Sequence, residues 1–352
     1  MIESKPIGGK IFTKPFKILM VFAIVAVIFM IKRVAFGLGS VTNLSDGYPW
    51  GLWIVYDVVT GTAIACGGYA MAMLVYILNK GKYHPLIRSA LMASMFGYTL
   101  AGVSIYLDVG RYWQLHNIFL PAYANTNSIM FEVAFCVASY VFVMWIEFMP
   151  AFFERPGKEK ILKFLNKIMF IFLALGVLLP TMHQSSLGTM MIVAGKKLSP
   201  LWQTGFLPLL FLISAILMGY AMVVFESLFS SMGLKRPMET SLLSKLSGVI
   251  PKLLIVYLVI RFGDLIWRGE LGSIFAFDLN SFMFIIENIL FIYPLVILSS
   301  AEKRGQPKQL FIAAVLLVLA GSLYRFNAYL IGFNPGEGWH YFPAFGEVMI
   351  TA

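Results

Sequence analysis

Nine apolar runs, separated by short polar segments, follow one another from Lys17 almost to the end of the 352-residue chain. A hydrocarbon core of ~30 Å is crossed by about 20 residues of helix, so the chain reads as an all-α, polytopic transmembrane helical bundle. The expected spans are 17–35, 50–78, 86–107, 128–152, 164–182, 206–228, 249–267, 279–299 and 310–330. Only 12% of the residues are charged and 59% are hydrophobic, whereas soluble domains carry about 25% charge. The first run has basic flanks but continues through Ile31 without a small-residue cleavage site, so it reads as a retained anchor.

Charge placement sets the expected orientation. With residues 1–16 as a cytoplasmic N-terminal segment, 19 of the 27 Lys and Arg residues fall in cytoplasmic segments, among them Lys5, Lys10, Lys80, Lys82, Arg155, Lys235 and Arg236. The remaining eight are spread over longer outer segments rich in Trp, Tyr and Gly. A multi-pass protein of the bacterial inner membrane with a cytoplasmic N-terminus follows. The net charge of +10 is thus a topology signal, and no basic face is left for nucleic acid. Small residues at helical spacing, Gly61, Ala65, Gly68 and Ala72 in the second span and Ala93, Gly97 and Ala101 in the third, predict close helix packing. With no repeat or linker, residues 1–352 form a single domain.

An ionisable side chain inside a span costs a few kcal/mol by insertion scales and is a functional hypothesis by default. Asp57, Glu132, Glu287 and Arg325 fall within the outer half of their spans, and Glu147 and Glu226 toward the inner ends. Arg261, Asp264 and Arg268 share one helix face and are expected as an ion-paired terminus. Asp108 and Arg111, in DVGRYW, are either an interfacial pair or part of a site. Glu132 has no basic neighbour within two turns and needs a partner from another helix or water. Along the fourth span Glu132, Cys136, Ser139 and Tyr140 lie on one face, with Glu147 near it. This seam is a proton route or a polar surface for helix association, and Tyr98 and Asp57 can extend it. PTMHQSSLG puts His183 and Gln184 where the fifth span reaches the outer face: a helix cap, or a site for a polar headgroup.

Four histidines supply no pair inside the bundle, and the two cysteines, Cys66 and Cys136, lie in separate spans as packing residues. The expectation is a chain with no haem or iron–sulfur cluster of its own.

The runs GYPWGLWIVYD, KYHPLIR, DVGRYW, FEVAF, LNKIMF, LPTMHQSSLG, RFGDLIWR and FNPGEGWHYFP together resemble the hydrogenase-2-type branch of the NrfD/PsrC family. The GGKI run near the N-terminus is also closer to that branch. The resemblance covers nearly the whole chain. It implies a haem-free bundle with a menaquinone or ubiquinone site near the outer face. It implies a ferredoxin-like iron–sulfur subunit and the small and large subunits of a periplasmic [NiFe] hydrogenase as partners, and it allows coupling to proton translocation. By motif, Tyr98, Glu132 and His183 match positions assigned to proton or quinone chemistry. Gln184, Asp108 and Arg111 join the expected quinone site, and Asp57, Glu132, Ser139, Glu147, Glu226 and Glu287 the expected proton path. The family has a tenth helix after the segment resembling YFPAFGEVMITA, so a C-terminal helix is expected to be missing beyond Ala352. Two other functions remain in view: a structural anchor for outer subunits, and a secondary transporter, which the lack of inverted repeats disfavours.

Overall fold

A computed structural model describes residues 12–154, 158–234 and 237–352. Lys5, Lys10, most of the 1–16 segment, the GGKI run, Arg155, Lys235 and Arg236 lie outside the described residues.

The expected helices are present. Among the described residues eight are long and apolar enough to cross a membrane: α1 Lys14–Phe36, α2 Trp53–Ile77, α3 within Gly81–Asp108, α4 Ile129–Phe153, α5 Glu159–Val193, α6 Leu207–Gly233, then Leu279–Ser299 and Pro307–Ile331. Between α6 and the last two lie a short α7, Thr240–Ser247, and α8, Ile250–Trp267. The 18-residue α8 carries Lys252, Arg261 and Asp264 and is the ninth expected span. Leu279–Ser299 is α9 and Pro307–Ile331 is α10. Helix is the local solution because each N–H finds its carbonyl within the segment, as lipid demands. Alternation of direction puts the long loops at one end of the bundle and short basic segments at the other.

α2 and α6 form the centre, with α3, α4 and α5 on one side and α8, α9 and α10 on the other. The small-residue faces do what their spacing predicts. Gly97 of α3 meets Ala65, Gly68 meets Ser94, and a Cβ at Gly219 of α6 would stand 2.6 Å from the Cys66 carbonyl oxygen. α2 is irregular: π-helical turns at Trp53–Thr60 and Met73–Ile77 flank two short α-helical segments. α1 is exposed along most of its length and is fixed at its C-terminal end by Arg33, which donates to the Leu107 and Val109 carbonyls at 2.6 Å each.

One expectation is corrected here. The fifth span does not stop at 182: α5 runs 35 residues to Val193. Its polar HQSS segment ends no helix because its side chains bond to carbonyls of the preceding turn and to Tyr98, Thr62, Arg325 and Glu132 on neighbouring helices, leaving the backbone ladder intact. Near the C-terminus, α11, Phe345–Thr351, packs on α1, with Phe345 edge-on to Phe29 at 5.7 Å. Glu347 of α11 is buried and accepts from the Asn43 N–H, the Ala344 N–H and the Tyr341 hydroxyl.

Candidate functional site

Because α5 continues, His183 and Gln184 lie deep in the bundle, fully buried, and not at its face. His183 Nδ1 is 2.9 Å from the Leu179 carbonyl oxygen one turn back. A carbonyl only accepts, so the proton sits on Nδ1 and Nε2 is the acceptor. Tyr98 O–H donates to Nε2 at 2.9 Å and the Gln184 amide at 3.2 Å. The same amide donates to Thr62 at 2.9 Å, and Cys66 Sγ lies 3.5 Å from the Tyr98 hydroxyl. Tyr140 packs edge-on to Tyr98 with ring centroids 4.5 Å apart. Cys66, read from sequence as packing alone, thus belongs to this polar layer.

Arg325 completes the layer. It is buried, and it donates to Gln184 Oε1 at 3.1 Å, Ser214 Oγ at 3.0 Å and the Val59 and Phe211 carbonyls at 3.0 and 3.1 Å. Among the described residues no carboxylate forms an ion pair with it. Its position inside a span marked it as costly, but only the fold shows that its partners are all neutral.

Toward the long-loop end, a cavity of about 580 Å³ lies between the start of α2, the end of α3, the 109–128 loop, and α4, α5 and Tyr329. Its wall is mostly apolar, and Asp108 and Arg111 both line it. The two make no ion pair with each other among the described contacts, so the interfacial-pair reading fails. Asp108 Oδ1 is buried and has no hydrogen-bond partner. His183, Gln184 and Tyr98 do not line the cavity, although Leu187, one turn beyond His183, does. Glu132 lies between the lining residues Phe131 and Val133 and accepts from Ser186 at 2.7 Å, the partner from another helix that its isolation required. Asp57 accepts from Ser104 at 2.9 Å and from Thr351 of α11 at 3.2 Å.

The other carboxylates are dispersed. Glu147 and Ser139 are half-buried on α4, with the Glu147 carboxylate against α5 where Gly176 leaves room for it. Glu226 is half-buried near the basic end of α6. Glu287 is fully buried and ion-paired to Arg261 at 2.7 Å, with Trp202 and Asn327 also donating to it at 2.8 and 2.7 Å. The expected one-face cluster at the end of α8 therefore splits. Arg268 pairs with Asp264 at 2.7 Å, while Arg261 turns inward to Glu287. Glu287, expected on a proton path, has its oxygens occupied by a guanidinium and two further donors.

The model of the NrfD (polysulphide reductase) family matches residues 40–332. The chain is 47% identical over 352 residues to the probable Ni/Fe-hydrogenase 2 b-type cytochrome subunit of Escherichia coli K12, covering 99% of this chain and 90% of that protein. It is 28% identical over 355 residues to the integral membrane subunit of menaquinone reductase from Nitratidesulfovibrio vulgaris Hildenborough, covering 91% and 83%. It is also 26% identical over 267 residues to one subunit of the selenate reductase of Mesobacillus selenatarsenatis, covering 67% and 60%.

The first of these names overturns the expectation of a chain without haem, since a b-type cytochrome subunit implies haem in a relative this similar. The residues of this chain do not present the histidine pair such a group commonly takes. His183 is the one histidine inside a span, with both ring nitrogens engaged, and His84, His116 and His340 lie outside the regular α-helical spans. No electron step is assigned through haem. Family match, full-length similarity and helical architecture agree: the chain is a multi-pass membrane redox subunit that belongs to the NrfD family.

Proposed function

We propose that this chain is the quinone-interacting membrane subunit of a respiratory [NiFe] hydrogenase of the bacterial inner membrane. It passes electrons between a module docked on its long-loop end and a menaquinone or ubiquinone. That module comprises the hydrogenase small and large subunits and a ferredoxin-like iron–sulfur subunit. The N-terminus is cytoplasmic and the long-loop end periplasmic, as the basic short loops suggest.

The observation that carries the reading is the 580 Å³ cavity, apolar over most of its wall, with Asp108 and Arg111 among its polar lining groups. Such a site suits a lipid-borne ring with a small polar head. Reducing a quinone to a quinol consumes two electrons and two protons. The electrons come from the docked module. Asp108, with a bare buried oxygen, is placed to exchange a proton with the ring oxygen, and Arg111 to offset charge on it. Glu132, one residue from the wall on either side, replenishes protons together with Asp57, while Ser139, Glu147 and Glu226 form a separate branch toward the basic end. His183 and Gln184 act one layer behind the cavity, holding Tyr98. The hydrogenase and menaquinone reductase names of the relatives support this assignment.

The names menaquinone reductase and selenate reductase also favour a second reading, in which the docked module is another iron–sulfur oxidoreductase. The subunits that co-purify with the chain separate the two. For the site itself, Glu132→Gln is expected to lower quinone-linked hydrogen oxidation by about a hundredfold, the low end for loss of acid–base help. Hydrogen oxidation with a soluble artificial acceptor should persist. Unchanged quinone-linked turnover removes Glu132 from the mechanism.

A further inference from the structure

The polar layer around Arg325 separates two groups of carboxylates. Glu132, Asp57 and Asp108 lie on the long-loop side, on the early turns of α4 and α2 and at the end of α3. Glu147 and Glu226 lie on the basic side, late in α4 and α6. A protein lodged in a coupling membrane must not let protons run between two such groups, and hydroxyls, an imidazole and a buried arginine between them look at first like a wire.

The bonding says otherwise. A proton relay through His183 must enter at Nε2 and leave from Nδ1. Nε2 already accepts from Tyr98 and Gln184, and the Nδ1 proton points at the Leu179 carbonyl, an amide oxygen with no proton to pass on. Gln184 is held at both ends, its amide by Thr62 and its oxygen by Arg325. Arg325 itself does not give up its proton. Among the described residues its charge is not cancelled by a carboxylate; it is spread over neutral acceptors from α2, α5 and α6 and over the Phe211 ring, 5.0 Å from the guanidinium carbon. A buried cation without a counter-ion costs several kcal/mol, while Glu287, nearby on α9, is taken by Arg261.

We infer that Arg325 is an electrostatic barrier that keeps the bundle proton-tight: its uncompensated charge, hydrogen-bonded through Gln184 to His183, repels any second positive charge entering the layer. A fixed cation facing a narrow polar constriction blocks protons in the same way in other membrane pores. The inference goes beyond the quinone assignment and does not depend on it, since a passive leak needs neither quinone nor hydrogen.

The test uses the protein purified with the subunits it carries and reconstituted into sealed liposomes holding a pH-sensitive dye. A potassium diffusion potential set by valinomycin drives protons, and the rate of internal pH change is read. Wild type and Arg325→Lys, which keeps the charge, should be as tight as empty liposomes. Arg325→Met and Gln184→Glu, which respectively remove the charge and give it a counter-ion, should leak at least about tenfold faster. A leaky wild type overturns the inference. So do tight vesicles with both charge-altering variants, or an Arg325→Lys leak equal to that of Arg325→Met, which would assign the seal to packing. Should Arg325→Met fail to fold, the near-isosteric Gln184→Glu decides alone, and a tight result with it refutes the barrier.

Discussion

At the scale of single residues, two of the buried arginines are accommodated in opposite ways. Arg261 has a full counter-ion in Glu287 and is stacked between Phe284 and Tyr324, with ring distances of 4.9 and 4.8 Å. Arg325 has only neutral acceptors. Removing one partner of a buried pair strands the other, at a cost of about 3–5 kcal/mol. Arg261→Met is therefore expected to lower thermal stability in detergent sharply, whereas Arg261→Met combined with Glu287→Leu should recover most of the loss. Trp202, which donates to Glu287 at 2.8 Å, provides a local fluorescence signal for the same event. The pairing was hidden in the sequence because Asp264 and Arg268 lie at convenient helical spacing from Arg261, while Glu287 is 26 residues away on another helix. His183 shows the complementary difficulty. Its neighbours announce a polar site, but the Nε2 nitrogen finds its partner in Tyr98, which is 85 residues distant.

At the scale of elements, the C-terminal strap shows how a short helix is held without much length. Seven residues of α11 cannot sustain themselves in isolation. They are fixed by Glu347, by Thr351 on Asp57, and by the Trp53 indole, which donates to the Glu347 carbonyl at 3.2 Å. Tyr341 joins strap to bundle: its hydroxyl accepts from the Leu52 N–H at 2.7 Å and donates to Glu347 at 2.5 Å. Burial, and then the Glu347 carboxylate that accepts its proton, push the Tyr341 phenol well above its ordinary value of 10. The folded protein thus holds this proton more tightly than the unfolded chain. The contribution is complete below pH 10 and is lost as the pH rises above it. Hydrogen exchange in residues 342–352 should accelerate above that pH in wild type. Tyr341→Phe should already exchange faster at neutral pH, by the equivalent of about 1.5–3 kcal/mol for a hydrogen bond to a charged group, and should lack the alkaline step. An alkaline step of equal size in the variant would remove Tyr341 from the attachment.

At the scale of the whole molecule, the proposed function carries an orientation with it: a quinone site fed by a periplasmic module would require the long loops to face outward. An impermeant maleimide added to intact spheroplasts should label Ser199→Cys, in the 194–206 loop, and label Lys80→Cys only after the membrane is opened. The reverse pattern would invert the proposed topology. Much of this architecture was legible in the residues alone. Nine apolar runs dictate nine spans because lipid leaves a backbone few other ways to satisfy its N–H and C=O groups. Charge in the loops indicates orientation through the cost of moving Lys and Arg across the membrane, and small residues at helical spacing mark where helices touch. These are local properties. Which costly groups meet is not local: Arg261 with Glu287, Arg325 with Gln184, Glu132 with Ser186 and Asp57 with Thr351 each join separate elements. The same holds for the cavity, whose wall draws on residues from Pro49 to Tyr329. The order of residues determined that these side chains would be buried and would need partners, and only the packing of the helices decided which partner each one found.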